Sequence, residues 1–283
     1  MNNISILIHT RQLKYPFSLE EKCPNNATGL CNQIFSAINA IYLTNLYQNN
    51  LYVDFFSKDW IKGDLLKFSD IIDINKMRSE LSWNIYDVTD FMGGEVQVIP
   101  QGYVFMCYHQ DKESFKRISR SLIFNQKWEN LSKKVIEKMG LLDEEVNLVH
   151  LRIDKDAEDH IVQLRKRECY NSLLESYRNE INKNCDTNKK LVLLMEDIHH
   201  PFVSELKEKY DVVYFDKDLV METYNSLYND DVLDGREVYA LVDFLIGKNL
   251  KVDTFIGAEG EKFTSSFSVL LKNIKDYNNI VVV

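Results

Sequence analysis

The chain has 283 residues, of which 45% are hydrophobic and 27% are charged, and its formal net charge at pH 7 is −9. This much apolar material is enough for one large domain or two linked domains, and the low counts of glycine (10) and proline (4) argue against disorder and against a β-sandwich joined by many tight turns. An acidic chain disfavours bulk electrostatic binding to nucleic acid or to an anionic membrane, so we expect neither partner.

Targeting signals and cysteine pairs are also absent from the sequence pattern. The apolar run Ile4–Ile8 is too short for a signal peptide, and nothing approaches the run of about 20 apolar residues that a membrane span needs. The five cysteines include no CxxC pair, so neither a disulfide framework nor a zinc ribbon is indicated. We expect a cytoplasmic protein with reduced thiols and no integral membrane segment.

The first half of the chain alternates strand-like and helix-like patterns. Its apolar runs and its helical spacing of apolar residues predict strand 4–8, helix 34–47, strands 51–53, 96–99 and 103–107, and helix 128–139. The last of these helices is expected to end at Gly140, because glycine is common just beyond a helix C-terminus.

The second half shows a more regular alternation. The elements predicted there are strand 146–151, helix 170–181, strand 191–195, helix 201–210, strand 212–215, helix 236–245, strand 252–256 and helix 265–274. In helix 170–181 the spacing places Tyr170, Leu173, Leu174, Tyr177 and Ile181 on one apolar face. Strands and helices in this order predict a parallel sheet with helices on both faces. We therefore predict an N-terminal domain of residues 1–140 and a C-terminal domain of residues 141–283.

Ligands of open α/β sheets bind outside the carboxyl ends of the strands, where loops enter helices. Several polar residues of this chain are predicted to lie there: Asn32, Gln33, His150, Arg152, Glu196, Asp197, Ser265, Ser266 and Ser268. These positions are the candidates for a binding or catalytic site.

The segment around Arg152 is the strongest motif. His150 and Arg152 point to the same face of a strand, and a guanidinium there can bind a diphosphate and neutralise charge on a departing phosphate without a metal. The alternative is an arginine paired with Asp154 or Asp156 at a strand edge. These two acids also form a DxD pattern, but a hard cation needs several converging oxygens, so we do not assign a metal site to it.

Two further segments open predicted helices. Gly29–Gln33 supplies a glycine and two amides at a helix entry, and its simpler interpretation is that Asn32 caps the helix. Thr264–Ser268 places hydroxyls and backbone N–H groups at a helix N-terminus, which suits either a phosphate or ordinary capping.

Together these segments resemble the fucosyltransferase superfamily, which includes protein O-fucosyltransferases and bacterial α1,2-fucosyltransferases. Gly29–Gln33 is similar to the GxxNQ block of that superfamily, and His150–Ile153 with Asp156 is similar to its HLRIxxD block. The C-terminal block is similar to Val242–Leu245, Asp253–Gly257 and Ser265–Ser268. The resemblance spans nearly the whole chain in the right order.

The resemblance implies an α/β fold of the GT-B-like type, with two Rossmann-like domains whose parallel sheets face each other across a cleft. It implies an inverting, metal-independent transfer of fucose from GDP-fucose to a glycan or protein hydroxyl. Arg152 would stabilise the departing GDP, and Asn32 would reach the reacting centre from the N-terminal domain. The resemblance implies donor-binding positions at His150, Arg152, Asp156, Asp243, Ser265, Ser266, Phe267 and Ser268.

Some features depart from the superfamily pattern or leave alternatives open. Cys31 replaces a second glycine, and the link between Gly257 and Ser265 is longer than usual. The base that takes the acceptor proton is not identified; Asp54, Glu20 and Glu21 are candidates by position. The alternatives are another nucleotide-deoxysugar donor, as in rhamnosyltransferases, and a non-catalytic module that binds a nucleotide sugar or a carbohydrate.

Overall fold

The structure is a computed structural model of the chain. It describes residues 4–8, 29–47, 50–54, 56–57, 65–93, 96–100, 106–228, 230, 235–260 and 263–283. By its internal contacts the chain divides into two compact units, the first formed by residues 1–130 and 229–242 and the second by residues 131–228 and 243–283.

The first unit contains a four-stranded parallel sheet in the order β5-β2-β1-β6 and an antiparallel pair β3-β4. Its strands are β1 (Ile4–Ile8), β2 (Asn50–Val53), β3 (Phe56–Ser57), β4 (Leu65–Leu66), β5 (Ile85–Asp87) and β6 (Val96–Pro100). The helices of this half of the chain are α1 (Leu30–Tyr47), α2 (Phe68–Ile71), α3 (Ile74–Leu81), α4 (Met106–Gln110), α5 (Lys112–Arg120) and α6 (Gln126–Lys138).

The second unit contains a five-stranded parallel sheet in the order β11-β10-β7-β8-β9. Its strands are β7 (Glu145–His150), β8 (Leu191–Leu194), β9 (Val212–Tyr214), β10 (Lys251–Gly257) and β11 (Asn279–Val282). The helices of this half are α7 (Lys155–Leu164), α8 (Arg167–Asn184), α9 (Pro201–Lys207), α10 (Lys217–Leu227), α11 (Arg236–Asn249) and α12 (Ser266–Ile274).

The central strands of the second sheet are buried on both faces. All four residues of β8 and the last five of β7 are buried, as the near-continuous apolar sequence of a central parallel strand requires. On one face Val149 and Leu193 pack in a cluster with Tyr177 and Tyr210. The prediction of an α/β fold with parallel sheets is confirmed.

Helix α1 begins four residues earlier than its apolar spacing predicts, and the predicted N-cap at Asn32 is wrong. Asn32 lies inside the first turn, where its backbone N–H donates to the carbonyl of Gly29 at 3.0 Å. The capping acceptor comes from a distant part of the chain: the carboxylate of Glu237 accepts from the backbone N–H of Leu30 at 2.5 Å. A partner 207 residues away leaves no local sequence signal.

Other elements also differ from the prediction. Cys107 lies in helix α4, so the end of the predicted strand 103–107 is wrong; residues 103–105 lie outside the described residues. The elements that were not predicted are helices α2 to α5, α7 and α10 and strands β3, β4, β5 and β11, and most of them are short. Helix α7 begins at the cap residue Asp154, whose carboxylate accepts from the backbone N–H of Ala157 at 3.0 Å.

Along the chain, the domain boundary predicted between residues 140 and 141 lies after the last strand of the first parallel sheet and before the first strand of the second. It stays a prediction, since the compact units assign residues 131–140 to the second unit and residues 229–242 to the first. Within the part of the chain that the structure describes, no helix has the length and the apolar character needed to cross a membrane.

Candidate functional site

Two neighbouring strands bring two of the sequence motifs to one edge of the second sheet. Strands β7 and β10 run parallel, with Val149 paired to Ile256, so the carboxyl ends of both strands lie at the same edge. His150 ends β7, and α12 opens shortly after β10 ends at Gly257. This is the edge at which open α/β sheets bind their ligands.

His150 joins the two motifs directly. Its Nδ1 lies 2.7 Å from Oγ of Ser268, and its ring stacks on Phe267 with centroids 4.2 Å apart. Oγ of Ser268 also accepts from the backbone N–H of Ala258 at 3.0 Å. This favours donation of the serine proton to Nδ1, which places the imidazole proton on Nε2.

The His150 side chain is neutral over the physiological pH range. Burial, reinforced by the positive charge of Arg152, lowers the pKa of His150 from 6.5 to about 3. An imidazole in this state offers one donor and one acceptor, and it adds no positive charge of its own to the site.

A glycine permits the close approach of α12 to the strand end. A Cβ atom at Gly257 would lie 2.8 Å from both Cβ and Oγ of Ser268, and 2.9 Å from the ring of Phe255. No side chain fits at those distances, so the contact between His150 and Ser268 depends on a glycine at the end of β10.

Arg152 is held by both acids of the DxD pattern. Its guanidinium forms ion pairs with Asp154 and with Asp156, the second with Nη2 and Oδ2 2.8 Å apart. The side chain of Arg152 is 25% exposed, and that of Asp156 is 59% exposed, whereas Asp154 is buried beneath the helix that it caps. The arginine therefore has one fixed partner and one partner in contact with solvent.

The DxD carboxylates are thus engaged with a cation of the chain itself. Among the residues that the structure describes, no group of three or more His, Cys, Asp or Glu side chains has an arrangement suited to a metal ion.

The N-terminus of α12 supplies further polar groups beside His150. Ser265 is buried at the N-cap position, where its backbone N–H donates to the carbonyl of Ala258 at 2.9 Å and its side chain makes no capping hydrogen bond. Ser266, the first residue of the helix, is part-exposed. Helix N-termini carry a partial positive charge and unpaired N–H groups, which suit an anion.

Asp243 lies on α11, in the second unit, and is part-buried. Burial raises its pKa to about 7; the nearby negative charge of Glu196 adds to this effect, and the positive charge of Lys217 opposes it. Glu196 follows β8 and Lys217 opens α10 after β9. Asp243 is therefore near the carboxyl ends of the next two strands of the same sheet.

The remaining candidates belong to the first unit. Asn32 is part-buried in α1, and Asp54 is completely buried just after β2, so in this structure the Asp54 carboxylate does not reach solvent. The other candidate bases, Glu20 and Glu21, lie outside the described residues.

The sequence motifs do not reveal three residues that shape this edge: Gly257, Asp154 as a helix cap, and Tyr177. The hydroxyl of Tyr177 donates to the carbonyl of His150 at 2.8 Å, although the helical spacing indicated only that this tyrosine faces a core. The signal that was available for Asp154 is its place before a polar, helix-forming segment.

Two compact units, each with a parallel sheet, are what the GT-B-like fold class requires. No protein-family model and no curated protein matches its sequence.

Among solved structures the fold is similar to that of fucosyltransferases. The apo form of POFUT1 superposes with a TM-score of 0.58 and 11% identity, over 99% of this chain and 97% of that chain. POFUT1 in complex with GDP-fucose gives 0.57 and 11%, over 99% and 98%. The fucosyltransferase NodZ from Bradyrhizobium gives 0.52 and 13%, over 96% and 93%. The predicted fold is confirmed, and at these identities the likeness concerns the fold alone.

Proposed function

We propose that the chain is a metal-independent, inverting glycosyltransferase that transfers fucose from GDP-fucose to a hydroxyl of a glycan or protein. The observation that carries the proposal is the grouping of Arg152, the pair His150 and Ser268, and the N-terminus of α12 at one carboxyl edge of the sheet. Support comes from neighbours of the same fold, which include POFUT1 in complex with GDP-fucose and NodZ soaked with GDP-fucose.

The diphosphate of the donor is assigned to Arg152 and α12. A guanidinium presents paired donors to phosphate oxygens, and the helix N-terminus adds backbone N–H groups and the hydroxyls of Ser265 and Ser266. His150, neutral and with its proton favoured on Nε2, offers a single donor to the nucleotide. Phe267 fixes the plane of that imidazole by stacking on it, and Ser268 fixes its rotation.

We propose that Arg152 exchanges one of its two carboxylate partners when the donor binds. Asp154 stays bound because it also caps α7, whereas Asp156 is the exposed partner. We assign this exchange to Asp156. Its carboxylate holds the guanidinium in place before the donor binds, and the diphosphate then replaces it on that edge of the guanidinium. Asp243 is assigned to the nucleotide side of the site, near the next strands.

Charge development explains why a fixed arginine suits this reaction. As the bond between the sugar and the β-phosphate breaks, negative charge grows on the departing phosphate, and the guanidinium of Arg152 stabilises it. Attack of the acceptor hydroxyl from the opposite face of the sugar inverts the configuration, while a base removes the hydroxyl proton. We also propose Asn32 as a catalytic residue.

The same arrangement reduces the need for a metal ion. The carboxylates of Asp154 and Asp156 are bound to Arg152, which occupies the position a cation would take in a DxD site. We expect transfer to continue in the presence of EDTA, and a strict requirement for Mn²⁺ or Mg²⁺ would contradict this part of the proposal.

One observation favours the non-catalytic alternative. Arg152 is bound by two carboxylates, so the cluster carries no net positive charge before the exchange with Asp156. If the exchange does not occur, the chain would be a binding module that retains the fold.

The experiment compares donor turnover by the wild-type chain, by Arg152→Ala and by a matched control, Arg178→Ala, whose arginine is paired with Glu205 on the surface of the same unit. We expect Arg152→Ala to lower release of GDP from GDP-fucose by about 10²-fold or more, because a charge-stabilising donor is lost. Its melting temperature should also fall, since the buried carboxylate of Asp154 loses its ion pair, so turnover is measured well below the melting temperature. Arg178→Ala should turn over like the wild type. Full turnover by Arg152→Ala would refute the catalytic role, and GDP binding without turnover by the wild type would favour the module.

We also propose a reducing compartment, the cytoplasm. Four of the five cysteines lie in the described part of the chain and all four are free. Burial raises the pKa of Cys107 and of Cys185 to about 12, so neither thiol is activated for exchange.

A further inference from the structure

The chain leaves the second sheet immediately after β7, and its backbone then needs new hydrogen-bond partners. Leu151 is the last residue held by the neighbouring strand, through its N–H and the carbonyl of Leu194 at 2.9 Å. Helix α7 begins only after Asp154. The turn, defined here as residues 150–153 from the end of β7 to the residue before the cap of α7, carries both His150 and Arg152.

Tyr177 of α8 supplies two of the missing partners. Its hydroxyl donates to the carbonyl of His150 at 2.8 Å, and the backbone N–H of Arg152 donates to the same oxygen at 3.4 Å. The side chain of Tyr177 is completely buried, so water does not replace these contacts. One hydroxyl therefore connects the two residues of the HxR motif through their backbones.

Tyr170, two helical turns earlier on the same face of α8, supplies another partner. Its hydroxyl donates to the carbonyl of Ile153 at 2.7 Å and lies 3.3 Å from Nε2 of His200. Nδ1 of His200 accepts from the backbone N–H of Phe202 at 3.2 Å, so its proton is on Nε2 and is donated to Tyr170. The hydroxyl of Tyr170 thus has a fixed direction.

We infer that Tyr177 and Tyr170 are positioning residues for the donor site: their hydroxyls take the place of a neighbouring strand along residues 150–153 and so fix the direction in which Arg152 leaves the sheet. This inference rests on the proposed role of Arg152 in donor binding. Buried backbone groups are almost always paired, so loss of either hydroxyl leaves a carbonyl without its partner and lets the turn shift. A shift of 1 Å at a catalytic group is enough to cost a large factor in rate.

The test uses Tyr177→Phe and Tyr170→Phe, which keep the buried rings and remove only the hydroxyls. The matched control is Tyr210→Phe, because the hydroxyl of Tyr210 also donates to a backbone carbonyl, that of Ile181 at 3.2 Å, in the same core cluster but away from the turn. The melting temperature, the affinity for GDP by calorimetry, and kcat and KM for GDP-fucose are measured for each.

We expect Tyr177→Phe to lower both the GDP affinity and kcat by about tenfold, and Tyr170→Phe to lower them by a smaller factor. A misdirected guanidinium of Arg152 would bind the diphosphate of GDP more weakly and would stabilise the departing phosphate less well. Tyr210→Phe should lower the melting temperature by a similar amount but leave GDP affinity and kcat unchanged. If all three variants lose only stability, or lose activity only in proportion to stability, the inference is overturned.

A double-mutant comparison tests whether the tyrosine acts through the arginine. In an Arg152→Ala background, Tyr177→Phe should cause a much smaller loss of GDP affinity than in the wild type, because only the contact of Tyr177 with the His150 backbone is left to lose. A full additional loss would overturn the inference. The outcomes also separate the two proposals: wild-type behaviour of Arg152→Ala refutes the proposed function, whereas defective Arg152→Ala with normal Tyr177→Phe and Tyr170→Phe refutes only this inference.

Discussion

At the scale of single residues, the contact between the end of β10 and the start of α12 depends on a glycine, which has no side chain to separate them. Gly257 brings Oγ of Ser268 within reach of His150, and any Cβ at that position would overlap the serine. The glycine, the serine and the histidine therefore form one geometric unit at the edge of the sheet.

We expect Gly257→Ala to destabilise the chain by roughly 1–3 kcal/mol, because overpacking must displace backbone or the short side chain of Ser268. It should also weaken GDP binding. The matched control is Gly247→Ala, where a Cβ would meet the flexible ends of Leu194 and Leu271 at 2.9 Å. That variant should lose stability and keep GDP affinity. Calorimetry and urea unfolding provide the two measurements, and normal GDP affinity in Gly257→Ala would contradict the proposed geometry.

The raised pKa of Asp243 should make the stability of the chain depend on pH. Its pKa is raised from 3.8 to about 7, first by burial, so between these two values the folded chain keeps a proton that the unfolded chain has lost. Its contribution to stability is therefore fully present below pH 3.8 and is lost as the pH rises towards 7. His150 acts in the opposite direction, since its pKa is lowered to about 3 and its contribution is lost as the pH falls below 6.5.

The change Asp243→Asn isolates the first of these effects, because asparagine does not titrate and the His150 contribution cancels in the comparison. Relative to the wild type, the variant should gain in free energy of unfolding as the pH is raised from 5 to 8. Urea unfolding at both pH values measures this difference. A difference that stays constant, or that falls with pH, would show that the Asp243 carboxyl is not desolvated.

The residues of the site illustrate what local sequence does and does not contain. His150, Arg152 and the serines could be chosen as candidates because their order and their position after strands are local properties. The pairing of His150 with Ser268 spans 118 residues, and it follows only from the neighbouring positions of β7 and β10. The spacing of Tyr177 indicated burial, but not the carbonyl to which its hydroxyl is bound.

At the scale of elements, helix α1 shows how a distant residue sets a helix boundary. The backbone N–H of Leu30 is satisfied by the buried carboxylate of Glu237, and a negative charge at a helix N-terminus also interacts favourably with the helix dipole. The first turn of α1 contains Asn32, so the same carboxylate fixes the conformation around that amide.

We expect Glu237→Leu to destabilise the chain by about 1–3 kcal/mol, because it leaves a buried N–H without an acceptor. Glu237→Gln keeps a side chain of the same length with an acceptor oxygen, and it serves as the matched control. It should lower the free energy of unfolding by less than about 1 kcal/mol. Urea unfolding of both variants provides the comparison. If the two variants are equally stable, the cap does not hold the start of α1.

The elements that the sequence predicted correctly are those with strong apolar patterns. Strand β8 is a continuous apolar run, β7 and β10 contain the apolar pairs Leu148-Val149 and Phe255-Ile256, and α8 has a clear apolar face. Two of the elements that were missed have weak patterns: α7 opens with four charged residues among its first five, and β11 is an exposed edge strand of four residues. Packing against the sheet, rather than local sequence, fixes such elements.

At the scale of the whole molecule, the alternation of strands and helices was sufficient to predict an α/β fold with parallel sheets, whereas the GT-B-like type was implied by the family resemblance. Each of the two sheets is parallel, as that alternation requires, and the superposition on fucosyltransferases covers nearly the whole chain at identities of 11–13%. The order of strands within each sheet was not predictable, because it depends on which buried faces pack together. The identity of the donor likewise depends on side chains at the sheet edge rather than on the fold.

The most direct measurement is a calorimetric titration of GDP and of UDP into the wild-type chain and into Arg152→Ala, each with EDTA present. We expect GDP to bind the wild type more tightly than UDP, and Arg152→Ala to bind GDP at least about tenfold more weakly, because a charge-assisted bond to phosphate is lost. Binding of UDP without binding of GDP, or unchanged GDP affinity in Arg152→Ala, would contradict the assignment of this sheet edge to the diphosphate of GDP-fucose.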